Sequence, residues 1–329
     1  MRIDIEFNSA GHVPSPGILE AAPIAEEKGF GAIWKGESNT REPMVVLSAI
    51  AARTTRIELG TAVYHIFARS PVTAGILAAT LNELSQGRFI LGIGCANATL
   101  ASWHGLEYDK PIGRMREYIE IVRKVYAGQK MEAKGKYYGS RGFKLAFPAE
   151  RPLRVFMAAL GPQMTRLAGQ IADGVLVNMA NPDQVAAIAA NVRAAAAGAG
   201  RDPAAIEVVV KVRCAINRDL AAARTALKSI ATFYSLADGY KEMLADRMGL
   251  VKEIRAINET WKAKGFKEAT KQVTDEMLAR VPMIPAASSA AVKEGLKPYF
   301  AAGATRVIVP YVPSTAQPIE ETLDFVRNW

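Results

Sequence analysis

Glu6 is the first residue of this chain whose setting points to chemistry. In the run Arg2-Ile3-Asp4-Ile5-Glu6-Phe7 every second residue is apolar. Successive side chains of a strand point to opposite faces, so Ile3, Ile5 and Phe7 share one face and Asp4 and Glu6 the other. A carboxyl taken out of water holds its proton more tightly, which suits Glu6 to donate or relay one. The alternative is a glutamate held in an ion pair by a Lys or Arg of the interior, and spacing leaves both open. His12, His65 and His104 are the only histidines. Any of them can serve as an acid–base group or a substrate contact. They lack the close helical spacing of a metal motif and no acidic pair accompanies them, so no metal site is expected. Glu37, Asn39 and Arg41, then Tyr64 and Arg69, then Cys95, Asn97 and Trp103, and finally Asn178 complete the polar candidates. Gly161-Pro162-Gln163-Met164 opens a helix whose free N–H groups could hold a phosphate, although Gly-Pro also suits a plain helix start. Gly92-Ile93-Gly94 lacks the third glycine of a dinucleotide fingerprint, and there is no Walker loop, Gly-x-Ser-x-Gly elbow or His-Glu-x-x-His.

These residues need elements to position them, and the chain supplies β-rich runs alternating with helical ones. Strands are expected at Arg2 to Phe7, Gly31 to Lys35, Arg56 to Val63, Arg88 to Gly94, Leu153 to Ala158, Gly174 to Asn178, Ile206 to Ala215 and Thr305 to Pro310. Helices are expected at Gly17 to Lys28, Pro43 to Arg53, Pro71 to Ser85, Arg114 to Ala127, Pro162 to Ile171, Pro182 to Ala197, Ser289 to Ala302 and Ile319 to Val326. Eight regular units match a closed barrel better than an open sheet. The expected fold class is α/β, a (β/α)8 TIM barrel forming one domain over residues 1–329. A helical insertion is expected between strands seven and eight, at residues 233–285, within a segment from Asp219 to Arg280 that reads as helical. Its Phe233-Tyr234 and Met243-Leu244 would face the barrel mouth, a partner subunit, or plain packing. Reactive groups of such barrels sit at the C-terminal ends of strands and in the loops that follow, where the candidates above fall.

Composition narrows the classes. Basic residues give a net charge of +9, but they are scattered and not interleaved with aromatics, which argues against nucleic acid. An anionic cofactor or substrate, or a solvated basic surface, accounts for the excess. No apolar run approaches a membrane span. Acids inside the first apolar run argue against a signal peptide, and two distant cysteines, Cys95 and Cys214, fit a reducing compartment. A cytoplasmic protein with a small-molecule substrate is expected.

Several runs carry a family likeness. Gly29-Phe30-Gly31-Ala32-Ile33-Trp34, Ala49 to Gly60, Arg69-Ser70-Pro71, Leu84 to Gly94, and Gly161-Pro162 with Ala172 to Asn178 resemble the luciferase-like monooxygenase superfamily. Ile5-Glu6-Phe7, Leu59 to Pro71, Gly161 to Met164 and Gly174 to Pro182 are most similar to its methylene-tetrahydromethanopterin reductase branch, which uses coenzyme F420. The resemblance implies hydride transfer between the deazaflavin and a small organic substrate, of which a pterin-like compound is one. A reduced-FMN-dependent monooxygenase and a non-catalytic flavin-binding barrel are the alternatives. It matches Glu6 to a glutamate beside the deazaflavin. From their expected places at the rim, Glu6, Glu37 and His65 are the catalytic candidates, Glu6 moving a proton while Glu37, Asn39 and His65 orient the substrate, and Asn39, His12 and Trp103 are the candidate substrate contacts. The resemblance places a non-prolyl cis peptide behind the cofactor ring at Ala62-Val63, the cofactor phosphate at Ala159, Leu160, Gly161, Gln163 and Met164, and Asn97 and Asn178 along its ring or tail. It also implies a homodimer or higher homo-oligomer. Two positions depart from the branch: Lys35-Gly36-Glu37-Ser38-Asn39 stands where it carries an Asp-His pair, and Asn97 where it carries an acid.

Overall fold

A computed structural model describes residues 1–7, 13–147 and 149–329; Asn8, His12 and Pro148 lie outside them. Eight strands, β1 (Arg2–Glu6), β2 (Ala32–Lys35), β3 (Glu58–Thr61), β4 (Phe89–Gly94), β5 (Arg154–Ala158), β6 (Gly174–Asn178), β7 (Glu207–Lys211) and β8 (Arg306–Pro310), run parallel in sequence order around the barrel. Pairing of β8 back to β1, from Arg2↔Arg306 to Glu6↔Pro310, closes it. The expected (β/α)8 TIM barrel is therefore present. Its outer layer comprises α1 (Ser15–Glu27), α2 (Pro43–Ala51), α3 (Pro71–Leu84), α4 (Pro111–Tyr126), α5 (Pro162–Ile171), α6 (Pro182–Gly198), α7 (Ser289–Ala301) and α8 (Pro318–Arg327).

The helix starts are written in the sequence. Proline opens α2 to α6 and α8, where its missing N–H costs nothing and its fixed φ is already helical. Side chains cap several of these starts: Glu42 accepts from Val45 N, Ser70 from Thr73 N, and Asn181 with Gln184 forms a reciprocal capping box.

Alternation along the strands sorts the core into two layers. Ile5, Ile33, Leu59, Leu91, Val155, Val175, Val208 and Val307 pack outward against helices. Trp34, Ile90, Phe156, Leu176, Val209 and Ile308 fill the barrel. Gly60 lies opposite Trp34, and a Cβ there would come within 2.4 Å of the indole. Asp4, on the inward face of β1, accepts from Trp34 Nε1 at 2.8 Å.

At the N-terminal end the first residues of five strands form one ionic network. Arg306 is wholly buried and contacts Asp4 at 3.3 Å, Glu58 at 2.7 Å and Glu207 at 2.5 Å. Arg2 and Arg154 also pair with Glu58, at 2.5 and 2.8 Å. Desolvation outweighs the pull of Arg306 and the Trp34 hydrogen bond at Asp4, and pushes its carboxyl up to about 6.

Three boundaries differ from expectation. The seventh strand is interrupted after Lys211: the chain stays bonded to β8 and its extension through Val212 N→Ile308 O and Val312 N→Cys214 O, but on its other side Arg213–Ile216 pairs with Met283–Ala286 instead of β6. The helical excursion starts at Leu220, as the helical reading from Asp219 has it and ahead of the insertion expected at residues 233–285, with Asp219 capping its first helix by accepting from Ala221 N. Helices Leu220–Leu236, Tyr240–Met248, Val251–Lys264, Phe266–Thr270 and Asp275–Arg280 then precede β8. They share an apolar cluster of their own, built on Leu227, Leu244, Ile257 and Leu278, which reaches the barrel rim at Met179 and Val312. Lastly, the loose stretch after α4 holds an antiparallel hairpin, Glu132–Lys134 with Gly139–Arg141.

Candidate active site

The C-terminal end of the barrel gathers buried polar groups around Glu6. That side chain is 2% exposed at the last position of β1, on the same face as Asp4. Lys211, the last residue of β7, brings its Nζ to 2.7 Å from Glu6 Oε2. The ammonium also donates to the carbonyl of Ala62 at 2.5 Å. Of the two alternatives for Glu6, the interior cation is thus present, and it sits on Oε2. Lys35, ending β2, is equally buried and donates to Gly36 O and Thr40 Oγ1. Burial holds its ammonium below the usual lysine range; Glu6 counters this and Lys211 adds to it.

The loop after β3 crosses this group. The Ala62-Val63 peptide is cis, at the expected position. Neighbouring loops grip it from both sides: Ala62 N donates to Lys35 O at 3.0 Å, and Glu37 N to Val63 O at 3.1 Å. Glu37 is occupied. Its carboxylate accepts from His65 N at 2.7 Å and from Arg69, which also reaches Glu42 at 3.3 Å. Space is tight at Gly36, where a Cβ would lie 3.0 Å from Ala62 O and 3.1 Å from Glu6 Oε1.

His65 is 2% exposed. Its Nδ1 accepts from Ala68 N at 3.1 Å, so the neutral ring carries its proton on Nε2. That Nε2 is buried and has no partner. Desolvation pulls the imidazole down to about 4, against the opposing effect of Glu37, so the ring is a neutral donor at pH 7. His104 stands beside it, with ring centres 5.8 Å apart.

The remaining expected residues divide. Ala159 is buried, Leu160, Gly161 and Met164 are half-buried, and Gln163 is exposed at the start of α5. No side chain caps that start, and a Cβ on Gly161 would meet nothing within 4 Å. The first-turn N–H groups are therefore open to an anion. A cleft of about 220 Å³ lined by Leu160, Thr165, Gln184, Asn191 and Arg247 lies beside it. Asn97 caps the short helix Ala98–Trp103 by accepting from Leu100 N. Trp103 is 54% exposed, and Asn39 is exposed as well. The amide of Asn178 is committed: Oδ1 accepts from Arg213 at 2.9 Å, and Nδ2 donates to Tyr240 at 2.9 Å and Tyr234 at 3.2 Å.

Sequence reasoning missed Lys211 and Arg213. The alternation that singled out Glu6 was available in Glu207-Val208-Val209-Val210-Lys211-Val212-Arg213, where Val209, Lys211 and Arg213 share a face.

The geometry has counterparts in known proteins. A 5,10-methylenetetrahydromethanopterin reductase of Methanolobus tindarius is 32% identical over 284 residues, covering 84% of this chain and 85% of that protein. The enzyme of the same name from Archaeoglobus fulgidus is 31% identical, over 84% of each chain. The structure of the coenzyme F420-dependent tetrahydromethanopterin reductase from Methanopyrus kandleri superposes with a TM-score of 0.85 at 24% identity, covering 99% of this chain and 97% of that one. The model of the luciferase-like monooxygenase family matches residues 6–306, and the chain belongs to that family.

Proposed function

We propose that the chain is an oxidoreductase that moves hydride between coenzyme F420 and a small organic substrate. The observation that carries this reading is the buried group at the barrel mouth. There Lys211 pairs with Glu6 and, with Glu37, braces the Ala62-Val63 loop, while His65 Nε2 is buried without a partner. A buried donor without an acceptor is costly, and an oxygen of the cofactor or its substrate would satisfy it. The bare first turn of α5 suits the cofactor's phosphate. Similarity to the two reductases, and to a fold neighbour described as F420-dependent, supports the choice of cofactor.

When bound, a deazaflavin supplies two-electron hydride chemistry. The residues of this chain supply position and protons. Ala62 and Val63 would back the ring, with Asn97 at its edge and Ala159 to Met164 at the phosphate. Glu6 would hold or move a proton at its carboxylate, with Lys211 beside it. His65 donates Nε2–H to a substrate oxygen as a neutral group. Glu37 and Arg69 act by positioning the loop that carries His65.

Titrating the purified chain with oxidised F420 and with FMN, followed by fluorescence, tests the reading, together with an oxygen-electrode record of turnover. F420 is expected to bind more tightly and turnover to consume no oxygen. Tighter FMN binding with oxygen uptake overturns the proposal.

A further inference from the structure

Two residues beyond Lys211 stands a second buried cation, and its surroundings differ. Arg213 is 2% exposed. Its guanidinium donates to Asn178 Oδ1 at 2.9 Å and to the Tyr234 hydroxyl at 2.6 Å, and lies 4.7 Å from the centre of the Tyr234 ring. All these partners are neutral. Among the described residues no Asp or Glu forms an ion pair with it, whereas Lys211 has Glu6. The residues outside the described set, Asn8 to His12 and Pro148, include no carboxylate. Its Nε is buried with no hydrogen-bond partner.

The neighbours add donors and no acceptor. Both phenol oxygens already accept from Asn178 Nδ2, at 3.2 Å from Tyr234 and 2.9 Å from Tyr240, which leaves their O–H protons to donate. The amide oxygen of Asn178 is spent on Arg213. A buried cation without a counter-charge is costly, and so are donors with nothing to donate to. One anionic group would satisfy both.

We propose that Arg213, Tyr234 and Tyr240 form a subsite for a carboxylate or phosphate group of the substrate, built above the Glu6–Lys211 pair. Val209 fills the barrel, Lys211 reaches Glu6, and Arg213 continues that face about 7 Å further along the chain. A substrate held there by its anionic end points its other end toward Glu6. The two tyrosines come from the rim helices Leu220–Leu236 and Tyr240–Met248, which gives that excursion a part in the site. Assigning the anion to the substrate rests on the function proposed above; anion binding itself does not.

The test uses glutarate and inorganic phosphate as probes on the full chain, with chloride at equal ionic strength as reference. Thermal midpoints and probe affinities are measured for the unsubstituted protein, Arg213→Gln and Tyr240→Phe, first alone and then with saturating F420 to fill the α5 seat. The midpoint is expected to rise with millimolar glutarate or phosphate, with the response lost in Arg213→Gln and the affinity several-fold weaker in Tyr240→Phe. Affinity for F420 should stay within about twofold in both variants, since the cofactor's phosphate sits elsewhere. An equal probe response in the unsubstituted protein and Arg213→Gln overturns the subsite. If Arg213→Gln does not fold, unchanged probe affinity in Tyr240→Phe overturns it. A tenfold loss of F420 binding with an intact probe response assigns Arg213 to the cofactor and overturns the substrate assignment. Failure of the unsubstituted protein to bind F420 defeats the proposed function and leaves the probe titrations to stand or fall on their own.

Discussion

Arg306 and Arg213 are both buried arginines, one opening β8 and the other lying just past the end of β7, in opposite electrostatic surroundings. Arg306 meets Asp4, Glu58 and Glu207 within 3.3 Å. Those carboxylates and their hydrogen bonds raise its already high pKa despite its burial. Arg213 meets an amide and a phenol. The contrast extends to the ends of the barrel. At the N-terminal end Arg2, Arg154 and Arg306 are matched by Asp4, Glu58 and Glu207. At the C-terminal end stand the buried cations Lys35, Lys211 and Arg213, and of their ion pairs only that of Lys211 with Glu6 is found among the described residues. The N-terminal network balances three arginines with three carboxylates and ties strands together, although Asp4 Oδ1 accepts no hydrogen bond. A network that leaves charge and donors unmatched is completed by something else. The barrel separates stability from chemistry in this way, with active groups confined to one end.

The largest effect that tests this contrast is on stability. Arg306→Met takes from buried Asp4 its ion-pair partner and leaves Glu58 and Glu207 only their contacts with Arg2 and Arg154. Breaking a buried ion-pair network costs about 3–5 kcal/mol, so denaturant unfolding should show a loss of that order. Arg213→Met, measured without any anion, gives up two hydrogen bonds and a ring contact but also removes an unpaired buried charge. Its expected loss is about 1 kcal/mol. Equal losses in the two variants would make Arg213 a structural cation like Arg306 and erase the comparison.

Within the C-terminal end, Glu6→Gln separates a working carboxylate from a structural one. The amide is nearly isosteric but cannot hold or move the proton. Turnover should fall by about 100-fold or more, the range of general acid–base contributions, with F420 affinity changed less than about threefold. Lys211→Met should disturb both quantities, because it also releases the carbonyl of Ala62. Full activity in Glu6→Gln would place Glu6 with the acids of the floor, as half of an ion pair and nothing more.

How much of this was legible in the sequence follows the same division. Period-two alternation is a local property, so the inward turn of Asp4 and Glu6 could be read directly from Arg2 to Phe7. Proline and Asn/Ser/Glu caps marked the helix starts for equally local reasons. The break in the seventh strand was not legible. Val208 to Ile216 reads as one β-rich run, and only pairing with Met283–Ala286, some 70 residues on, gives its second half a different neighbour on one side. Partners were hidden for a similar reason. The Lys211 that meets Glu6 lies over 200 residues away, and closure of the barrel alone brings them together. The commitment of Glu37 to His65 N and Arg69 also depends on how two loops meet, which neither loop specifies alone.

A last effect concerns the floor, and its sign can be worked out. The carboxyl of Asp4 lies at about 6 in the fold against an ordinary 3.8, because burial outweighs Arg306 and Trp34. Between those values the folded chain keeps a proton that the unfolded chain has lost, so the stabilisation is complete below 3.8 and is lost as pH rises through 6. His65 acts in the opposite sense over a neighbouring range. Its imidazole is pulled down to about 4, so stability is lost as pH falls from 6.5 toward that value. The two slopes partly mask each other in the unsubstituted protein. Asp4→Asn removes the first while keeping an acceptor for Trp34 and leaving His65 in place. The stability difference between the two proteins, measured by urea unfolding from pH 4 to pH 7, should therefore shift in favour of Asp4→Asn by up to about 3 kcal/mol as pH rises. A difference that stays flat over that range would mean that Arg306 holds Asp4 ionised throughout, making the floor's charge balance complete at every pH and the contrast with Arg213 sharper still.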